Sequence, residues 1–240
     1  MPIELNALET KRFGIRAARV TSDTAEPDAI NAAARDLDIR MITVRVGTDD
    51  LDRIHLLEND GYRLMDTLVY YSRPLTDIPP LPPASDTETI RLARPDDAPA
   101  VALVAAKAFE GYIGHYHADP HLSDSAADEA YVEWAEKSIE GCQPMRPAYV
   151  VEAAGALVAF MTAQVQPDGT GEIILNAVHP DWQAAGIYSR LLVHVMQALQ
   201  ASGCHTLFIS TQVNNIAVQK AWARNGLRMS HSYYTLHKWY

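Results

Sequence analysis

The sequence predicts an α/β protein built in two parts, and three observations predict it. Strand-like runs and amphipathic helical patterns alternate along most of the chain. Residues 172–192, EIILNAVHPDWQAAGIYSRLL, pass from an apolar strand through a short polar turn directly into a helix. Residues 74–86, PLTDIPPLPPASD, hold five prolines, which fix φ and remove backbone donors, so this stretch reads as an extended connector. The expected parts are therefore residues 1–73 and 89–240, with 74–88 as the linker.

Composition fits this plan. The chain has 240 residues, 48% of them apolar and 21% charged, which is ordinary for a folded protein and long enough for a well-buried core. A net charge of −10 argues against a nucleic-acid partner, because phosphate binding depends on clustered Lys and Arg. No run approaches the roughly 18 apolar residues of a membrane span. The N-terminal residues lack the apolar core of a signal peptide, so no membrane partner and a cytoplasmic location are expected, as a monomer or homodimer. Cys142 and Cys204 form no CxxC pair, and both read as reduced thiols.

In chain order, residues 1–26 are weakly patterned, with a short strand expected in the apolar run from Phe13 to Val20. Pro27 suits a first helical turn, and residues 28–37 place Ile30, Ala33, Ala34 and Leu37 on one side of a helix. A strand follows at 39–46. Residues 50–59 read as a helix with Leu51, Ile54, Leu57 and His55 inward, stopped at Gly61. A strand at 62–72 leads to the linker. Beyond it come a strand at 89–94, a helix at 98–109, an aromatic polar loop, a helix at 124–140, and a hairpin of strands 148–153 and 156–166 turned at Ala154-Gly155. After the strand and helix of 172–201, a strand at 205–211, a helix at 215–225 and a strand at 229–239 complete the chain. Advancing the N-terminal half by 165 positions puts Ile42-Val44-Val46 on Leu207-Ile209-Thr211, Asp50 on Asn215, Gly61 on Gly226 and Arg63 on Arg228. Either a partial internal repeat or a shared strand-helix-strand grammar produces that match.

The junction within 172–192 suits an anion. Backbone N–H groups at a helix start lack intrahelical partners and sit at the positive end of the helix dipole. Gln183, Ala184, Ala185 and Gly186 keep that start open to close approach. Period-two alternation would put Glu172, Ile174, Asn176 and Val178 on one strand face.

The segment VHPDWQAAGIYSRLL, with an Asn-x-x-Val-x-x-x-Trp-x-x-x-Gly pattern at Asn215, Val218, Trp222 and Gly226, resembles the GNAT superfamily of acyl-CoA-dependent N-acyltransferases. The likeness covers residues 89–240, and Gln183 and Gly186 match the family's Q/R-x-x-G-x-G/A loop while Tyr188 replaces its final small residue. The two-part layout is similar to the sugar-nucleotide N-acetyltransferases typified by dTDP-fucosamine acetyltransferase. The resemblance implies a mixed, splayed sheet flanked by helices, preceded by a partial GNAT-like domain. It implies acetyl-CoA as co-substrate, with Ala177 and Val178 beside the acyl-pantetheine, the Val178 N–H at a bulge facing the thioester carbonyl, Gln183 to Tyr188 (with Ile187) at the pyrophosphate, Asn215 on the pantetheine arm, and Trp222 as a further cofactor contact.

Aminolysis of a thioester needs a neutral amine, a donor for the developing oxyanion and a route for sulfur to leave. Glu172 is the candidate general base, its other reading being a strand-end carboxylate in solvent. The loop carrying His115, Tyr116, His117 and Asp119 reads as a substrate-recognition loop or an ordinary solvated one. Within it His117 is a second candidate base or a phosphate contact, and no metal is expected because no Cys or Glu ligand lies near. Asn176 joins His115, Tyr116 and Asp119 as a candidate substrate contact. In the family the position of Trp222 commonly holds a Tyr that protonates the thiolate, and an indole N–H donates no proton near neutral pH. Trp222 then either donates a hydrogen bond to sulfur or walls the acyl pocket, with Tyr188, Tyr233 and Tyr234 as replacement acids or packing residues. The expected acceptor is a primary amine on a small molecule, first an amino-sugar nucleotide, then an amino acid, polyamine or aminoglycoside-like amine. A non-catalytic acyl-CoA-binding module is the alternative from another class.

Overall fold

The computed structural model describes residues 1–22, 24–83 and 88–240. The elements are β1 (Ile3–Leu5), α1 (Ala7–Phe13), β2 (Ala17–Val20), α2 (Pro27–Asp36), β3 (Met41–Gly47), α3 (Leu51–Asn59), β4 (Arg63–Pro74), β5 (Glu88–Leu92), α4 (Ala98–Ala108), α5 (Asp124–Glu140), β6 (Ala148–Ala153), β7 (Ala156–Val165), β8 (Thr170–Val178), α6 (Ile187–Ala201), β9 (Thr206–Gln212), α7 (Ile216–Arg224) and β10 (Arg228–Trp239). They form two compact units that are not consecutive in the chain. The first comprises Met1–Val69, Ile113–Ala127 and His231–Tyr240, and the second Tyr70–Tyr112 and Asp128–Ser230.

In the first unit β1 pairs antiparallel with β2, β2 parallel with β3, and β3 antiparallel with the end of β10, from Tyr233 opposite Gly47 to Trp239 opposite Met41. Ile30 and Ala34 of α2 and Ile54 and Leu57 of α3 close a core over Ile42, Val44, Val46 and Leu236. The N-terminal segment differs from its sequence expectation. A helix, α1, precedes the strand, started by the Asn6 side chain accepting from the Glu9 N–H at 3.1 Å and stopped by Gly14 at φ 66. At 7 residues it is too short to display a helical period, so its cap was its only sequence signal. On α3, Leu51 and His55 point outward, and Arg53 lies inward beside Ile54 and Leu57.

The second unit is a six-strand mixed sheet in the order β5-β6-β7-β8-β9 and then the last residues of β4. The β6–β7 turn puts Ala154 at φ 48 and Gly155 at φ 79, the double left-handed geometry of a tight hairpin. Ile187, Leu191, Leu192, Val195, Met196 and Leu199 of α6 pack on Ala159, Met161, Ile173 and Val178. Helix α4 packs on β7 and β8 from the other face. The proline-rich stretch starts docked: Leu75 is buried in this core, and its N–H donates to His205 O at 2.8 Å. Residues 84–87 of the expected linker lie outside the described residues.

The repeat is carried by the backbone. A displacement of 165 maps the bounds of β3, α3 and β4 onto those of β9, α7 and β10 without offset. The helix starts agree in conformation, Asp50 at φ −90, ψ 68 and Asn215 at φ −80, ψ 67, and so do the stops, Gly61 at φ 87 and Gly226 at φ 80.

Candidate functional site

The site is built where two parallel strands separate. β8 and β9 pair from Thr170 opposite Thr206 to Ile173 opposite Ile209, yet β8 continues to Val178 and β9 to Gln212. The cause lies on the other edge of β8. Against β7, Leu175 faces Thr162 and Ile173 faces Ala163, so Ile174 is an extra residue, a β-bulge that bends the strand. Thr162 secures it, its Oγ1 accepting from Leu175 N–H and donating to Leu175 O, both at 3.1 Å.

The bulge fixes where backbone donors point. His179 N–H donates to Val158 O at 2.8 Å, so by antiparallel alternation the N–H groups of Val178 and Asn176 turn away from β7, toward the side where β9 has parted. The bulge therefore sits at Ile174, and the expectation of one at Val178 is corrected, while the outward direction of the Val178 N–H stands on the ladder itself. The face assignment also changes. Val178 and Asn176 lie opposite Ala159 and Met161, whereas Glu172 lies opposite Gln164, on the face of Leu175 and Ala177. Alternation through 172–178 fails because the extra residue shifts its phase.

After Val178, the 3-10 turn Pro180–Trp182 leads to the loop Gln183 to Gly186. Ala184 at φ 62 and Gly186 at φ 78 place two left-handed residues just before α6, a backbone shape that gathers N–H groups toward an anion. All four loop residues are exposed, and the α6 start has no side-chain cap. The Gln183 amide is turned inward, donating to Val178 O at 3.2 Å, which ties the loop to the strand end. Ile187 is buried in the core, so it meets a ligand only through its backbone. The loop is braced from below by Arg190, which donates to Ala185 O at 3.1 Å and forks onto Glu88.

Beyond β9, Asn215 donates to Thr211 Oγ1 at 3.1 Å and leaves the α7 start without a side-chain cap. Trp222 is 1% exposed, and its indole N–H donates to the Tyr188 hydroxyl at 2.7 Å. Burial pushes the Tyr188 phenol well above its ordinary pKa. Residues 177–188, Asn176, Asn215 and Trp222 thus all belong to the second unit.

His115, Tyr116 and Asp119 belong to the first unit, where the loop binds the core side of that unit. Asp119 is buried and accepts from His121 N–H (3.0 Å), His237 Nδ1 (2.7 Å) and Trp239 Nε1 (2.8 Å). Burial opposes its ionisation, but hydrogen bonds from His237, Trp239 and His121 outweigh that and hold the carboxyl well below its usual range. His237 Nε2 lies 3.0 Å from His115 Nδ1, and burial, with His237 and Arg45 nearby, holds the His115 pKa low. Tyr116 donates to Glu9 Oε1 at 3.0 Å, and burial raises the Glu9 pKa. With its oxygens committed to these partners, Asp119 braces the loop from within. His117 accepts from Gly114 N–H at 3.2 Å and is half-buried. Tyr233 and Tyr234 also lie in the first unit, opposite Gly47 and Val46. Among the described residues, no group of three or more His, Cys, Asp or Glu is placed to hold a metal, and no helix is long and apolar enough to cross a membrane.

Sequence reasoning passed over Arg190, Glu88 and Thr162. Arg190 carries a signal, being the one charged residue in the run IYSRLLVHVM. Thr162 and Glu88 carry none, since their roles depend on the bulge and on a contact between distant segments.

Residues 107–227 match the acetyltransferase (GNAT) family. The chain is 22% identical to dTDP-fucosamine acetyltransferase of Escherichia coli over 240 residues, covering 98% of this chain and 97% of that one. It is 25% identical to the spore coat polysaccharide biosynthesis protein SpsD of Bacillus subtilis over 201 residues, 82% of this chain and 66% of that one. It is 30% identical to mycothiol acetyltransferase of Saccharopolyspora erythraea over 137 residues, 57% of this chain and 42% of that one. In fold it is similar to a GCN5-related N-acetyltransferase from Sphaerobacter thermophilus, with TM-score 0.68 at 16% identity over 99% of this chain and 76% of that one. The family's acyl donor, acetyl-CoA, fits what the second unit offers: outward N–H groups on a parted strand and an uncapped, small-residue helix start. The chain belongs to the acetyltransferase (GNAT) family.

Proposed function

We propose that this chain transfers an acetyl group from acetyl-CoA to the primary amine of a small molecule, an amino-sugar nucleotide. The observation that carries the reading is the parting of β8 from β9 beyond Ile173, which leaves N–H donors of Asn176 and Val178 facing the gap immediately before an anion-binding loop. A thioester carbonyl at the Val178 N–H and a pyrophosphate at residues 183–188 are the two ends of one ligand. In this reading Glu172 takes the proton from the amine, directly or through water, and the amine attacks the acetyl carbon. The oxyanion forms at the Val178 N–H, and the CoA thiolate leaves. The amino-sugar acceptor rests on the likeness to dTDP-fucosamine acetyltransferase, which extends over nearly the whole of both chains.

The test has two stages. Calorimetry with acetyl-CoA should give saturable binding, and no heat of binding would overturn the reading at its base. Thiol release is then followed with a panel of amino-sugar nucleotides, amino acids, polyamines and aminoglycosides. Turnover with an amino-sugar nucleotide above the other classes is expected. Turnover only with another class would reassign the acceptor, and binding without turnover would make the chain a CoA-binding module.

A further inference from the structure

In the first unit, one face of the strand pair β3–β10 is polar where the other is apolar. Thr43 lies opposite His237, Arg45 opposite Thr235 and Gly47 opposite Tyr233, and alternation puts all six on one side. The other side carries Ile42, Val44, Val46 and Leu236, part of the core under α2 and α3. Stability alone favours apolar residues on both sides. On the polar one, Oγ1 of Thr43 and Oγ1 of Thr235 are buried with no hydrogen-bond partner among the described residues, which costs free energy.

Arg45 is exposed and makes no ion pair or hydrogen bond with any described residue. Its diagonal neighbours on this face are His237 on one side and Tyr233 on the other, each about 7–8 Å away. At the His237 end, the ionised Asp119 accepts from His237 Nδ1 at 2.7 Å. A neutral His237 then carries its hydrogen on Nδ1, and its Nε2 is a bare acceptor that takes the His115 Nδ1 hydrogen at 3.0 Å. By the same count His115 Nε2 is left as a lone pair, and burial keeps that ring from protonating at neutral pH. This nitrogen makes no hydrogen bond among the described residues and is not one of the sealed atoms that lack a partner. With His115 8% exposed, it offers solvent an acceptor. At the other end, the half-buried Tyr233 ring is held edge-on by His231, with centroids 5.5 Å apart. Asp49 Oδ1 lies 2.8 Å from where a Gly47 Cβ would be, which puts a second acceptor on that side of the strand, opposite Tyr233.

The face thus presents, in order, an aromatic ring beside an acceptor, a cation without a partner, and a lone pair. A nucleotide sugar presents the complement: a flat base with N–H donors, a diphosphate, and a ring bearing hydroxyls. We propose that this face of the first unit binds a nucleotide sugar, with the base stacked on Tyr233, the diphosphate paired with Arg45, and a hexose hydroxyl donating to His115 Nε2. The proposal deepens the acceptor assignment above, on which the choice of a nucleotide sugar rests. Every residue it uses belongs to the first unit. From Tyr233 to His237 the strand advances four residues, about 13 Å, room for a diphosphate with a ring at each end. In a chain of net charge −10, an anion needs such a local cation to bind.

Calorimetry of the full chain with dTDP and with dTDP-glucose, in the presence of saturating CoA to fill the loop of the second unit, reads the three contacts separately. Wild type should bind both, dTDP-glucose about three- to tenfold more tightly, the size of one neutral hydrogen bond. Arg45→Gln should weaken both about 10- to 100-fold, the size of hydrogen bonds to a charged group. Tyr233→Leu should weaken both about fivefold or more, the loss of one stacking contact. His115→Phe should bind dTDP as wild type does and lose the preference for dTDP-glucose. Acetyl-CoA affinity should be the same in all four proteins, which also shows that the variants fold. Absence of binding of either nucleotide to wild type, or equal affinity in wild type and Arg45→Gln, would overturn the proposal while acetyl-CoA binding keeps the acetyltransferase reading in place. A wild type that binds dTDP but not acetyl-CoA would instead remove that reading and leave the nucleotide site standing.

Discussion

Arg190 and Glu88 form a forked ion pair, Nε donating to Oε1 at 2.7 Å and Nη2 to Oε2, with side chains 10% and 3% exposed. The same Nη2 donates to Ala185 O, so a pair joining α6 to the first residue of β5 also sets one carbonyl of the loop Gln183 to Gly186, the proposed pyrophosphate site. Turning that carbonyl toward the guanidinium leaves the neighbouring N–H groups to face outward.

Removing one partner should therefore damage both stability and cofactor affinity. Arg190→Met strands a buried carboxylate, and breaking such a pair costs about 3–5 kcal/mol, readable by denaturant unfolding. Adding Glu88→Leu should recover most of that stability, because both charges are then gone. The KM for acetyl-CoA should stay raised in the double variant, since Ala185 O still lacks its donor. Recovery of both quantities together would show that the pair stabilises without shaping the loop.

Within the loop, two small residues on either side of Ala185 should respond in opposite ways. A Cβ at Gly186 would lie 2.8 Å from Arg190 Nη1, at φ 78, so Gly186→Ala should push the guanidinium off Ala185 O and weaken acetyl-CoA binding by about tenfold or more, the size of a left-handed Ala penalty of about 1–2 kcal/mol. Ala184 already occupies φ 62, where an L side chain costs about 1–2 kcal/mol. Ala184→Gly should leave binding in place and raise unfolding stability by about 1 kcal/mol, offset in part by the freer unfolded chain.

How much of this was legible in the sequence depends on how local the cause is. The order of strands and helices was legible because apolar periodicity and Gly61, Gly155 and Gly226 are local signals, and QAAG was legible as the turn into α6 because small residues between an apolar strand and an amphipathic helix mark where the helix starts. α1 was not, being shorter than its own period. The Ile174 bulge was not, because it is set by Thr162 on the neighbouring strand, and with it went the expectation that Glu172 shares a face with Val178. The histidine loop read as a place for substrate because it is polar and aromatic. Its partners, Glu9, His237 and Trp239, are over a hundred positions away in sequence, and only folding brings Glu9 to Tyr116, Trp239 to Asp119 and His237 to Asp119 and His115.

That cluster should make the first unit sensitive to mild acid. The folded-state pKa of His115 is depressed by burial and by His237, Arg45 and His117, against Asp119, so below the unfolded value of about 6.5 the unfolded chain binds a proton that the folded chain refuses. Stability is then lost as pH falls, with a slope of at most about 1.4 kcal/mol per pH unit. Glu9, raised by burial, works the other way nearer pH 4.5, and the depressed Asp119 again loses stability below about pH 4. Unfolding midpoints should drop between pH 6.5 and 5 in wild type and change less in His115→Asn. Equal slopes in the two proteins would assign the acid sensitivity elsewhere.

Thr162 offers a test of the bulge itself. Its hydroxyl is buried and both accepts from and donates to Leu175, so Thr162→Val leaves an N–H and a carbonyl unpaired, at about 1–3 kcal/mol. If Thr162 alone pins the extra residue, β8 relaxes toward regular pairing and the Val178 N–H loses its proposed aim at the thioester, so kcat should fall by more than tenfold while KM for acetyl-CoA, assigned in this proposal to the loop, changes little. A loss of stability with kcat unchanged would show that the bulge persists without its threonine.

Glu172→Gln separates proton removal from orientation. Glu172 lies on the face of Leu175 and Ala177, away from the side chains of Asn176 and Val178, so its action on the amine is read through pH rather than through binding. With a carboxylate base, the rate of wild type rises with pH until the amine is neutral without help. The Gln variant should lag most below the acceptor's pKa and converge on wild type above it, because a neutral amine needs no base to attack. A constant ratio of the two rates across the pH range would mean that Glu172 takes no proton, and His117, the second candidate base, would be the next residue to substitute.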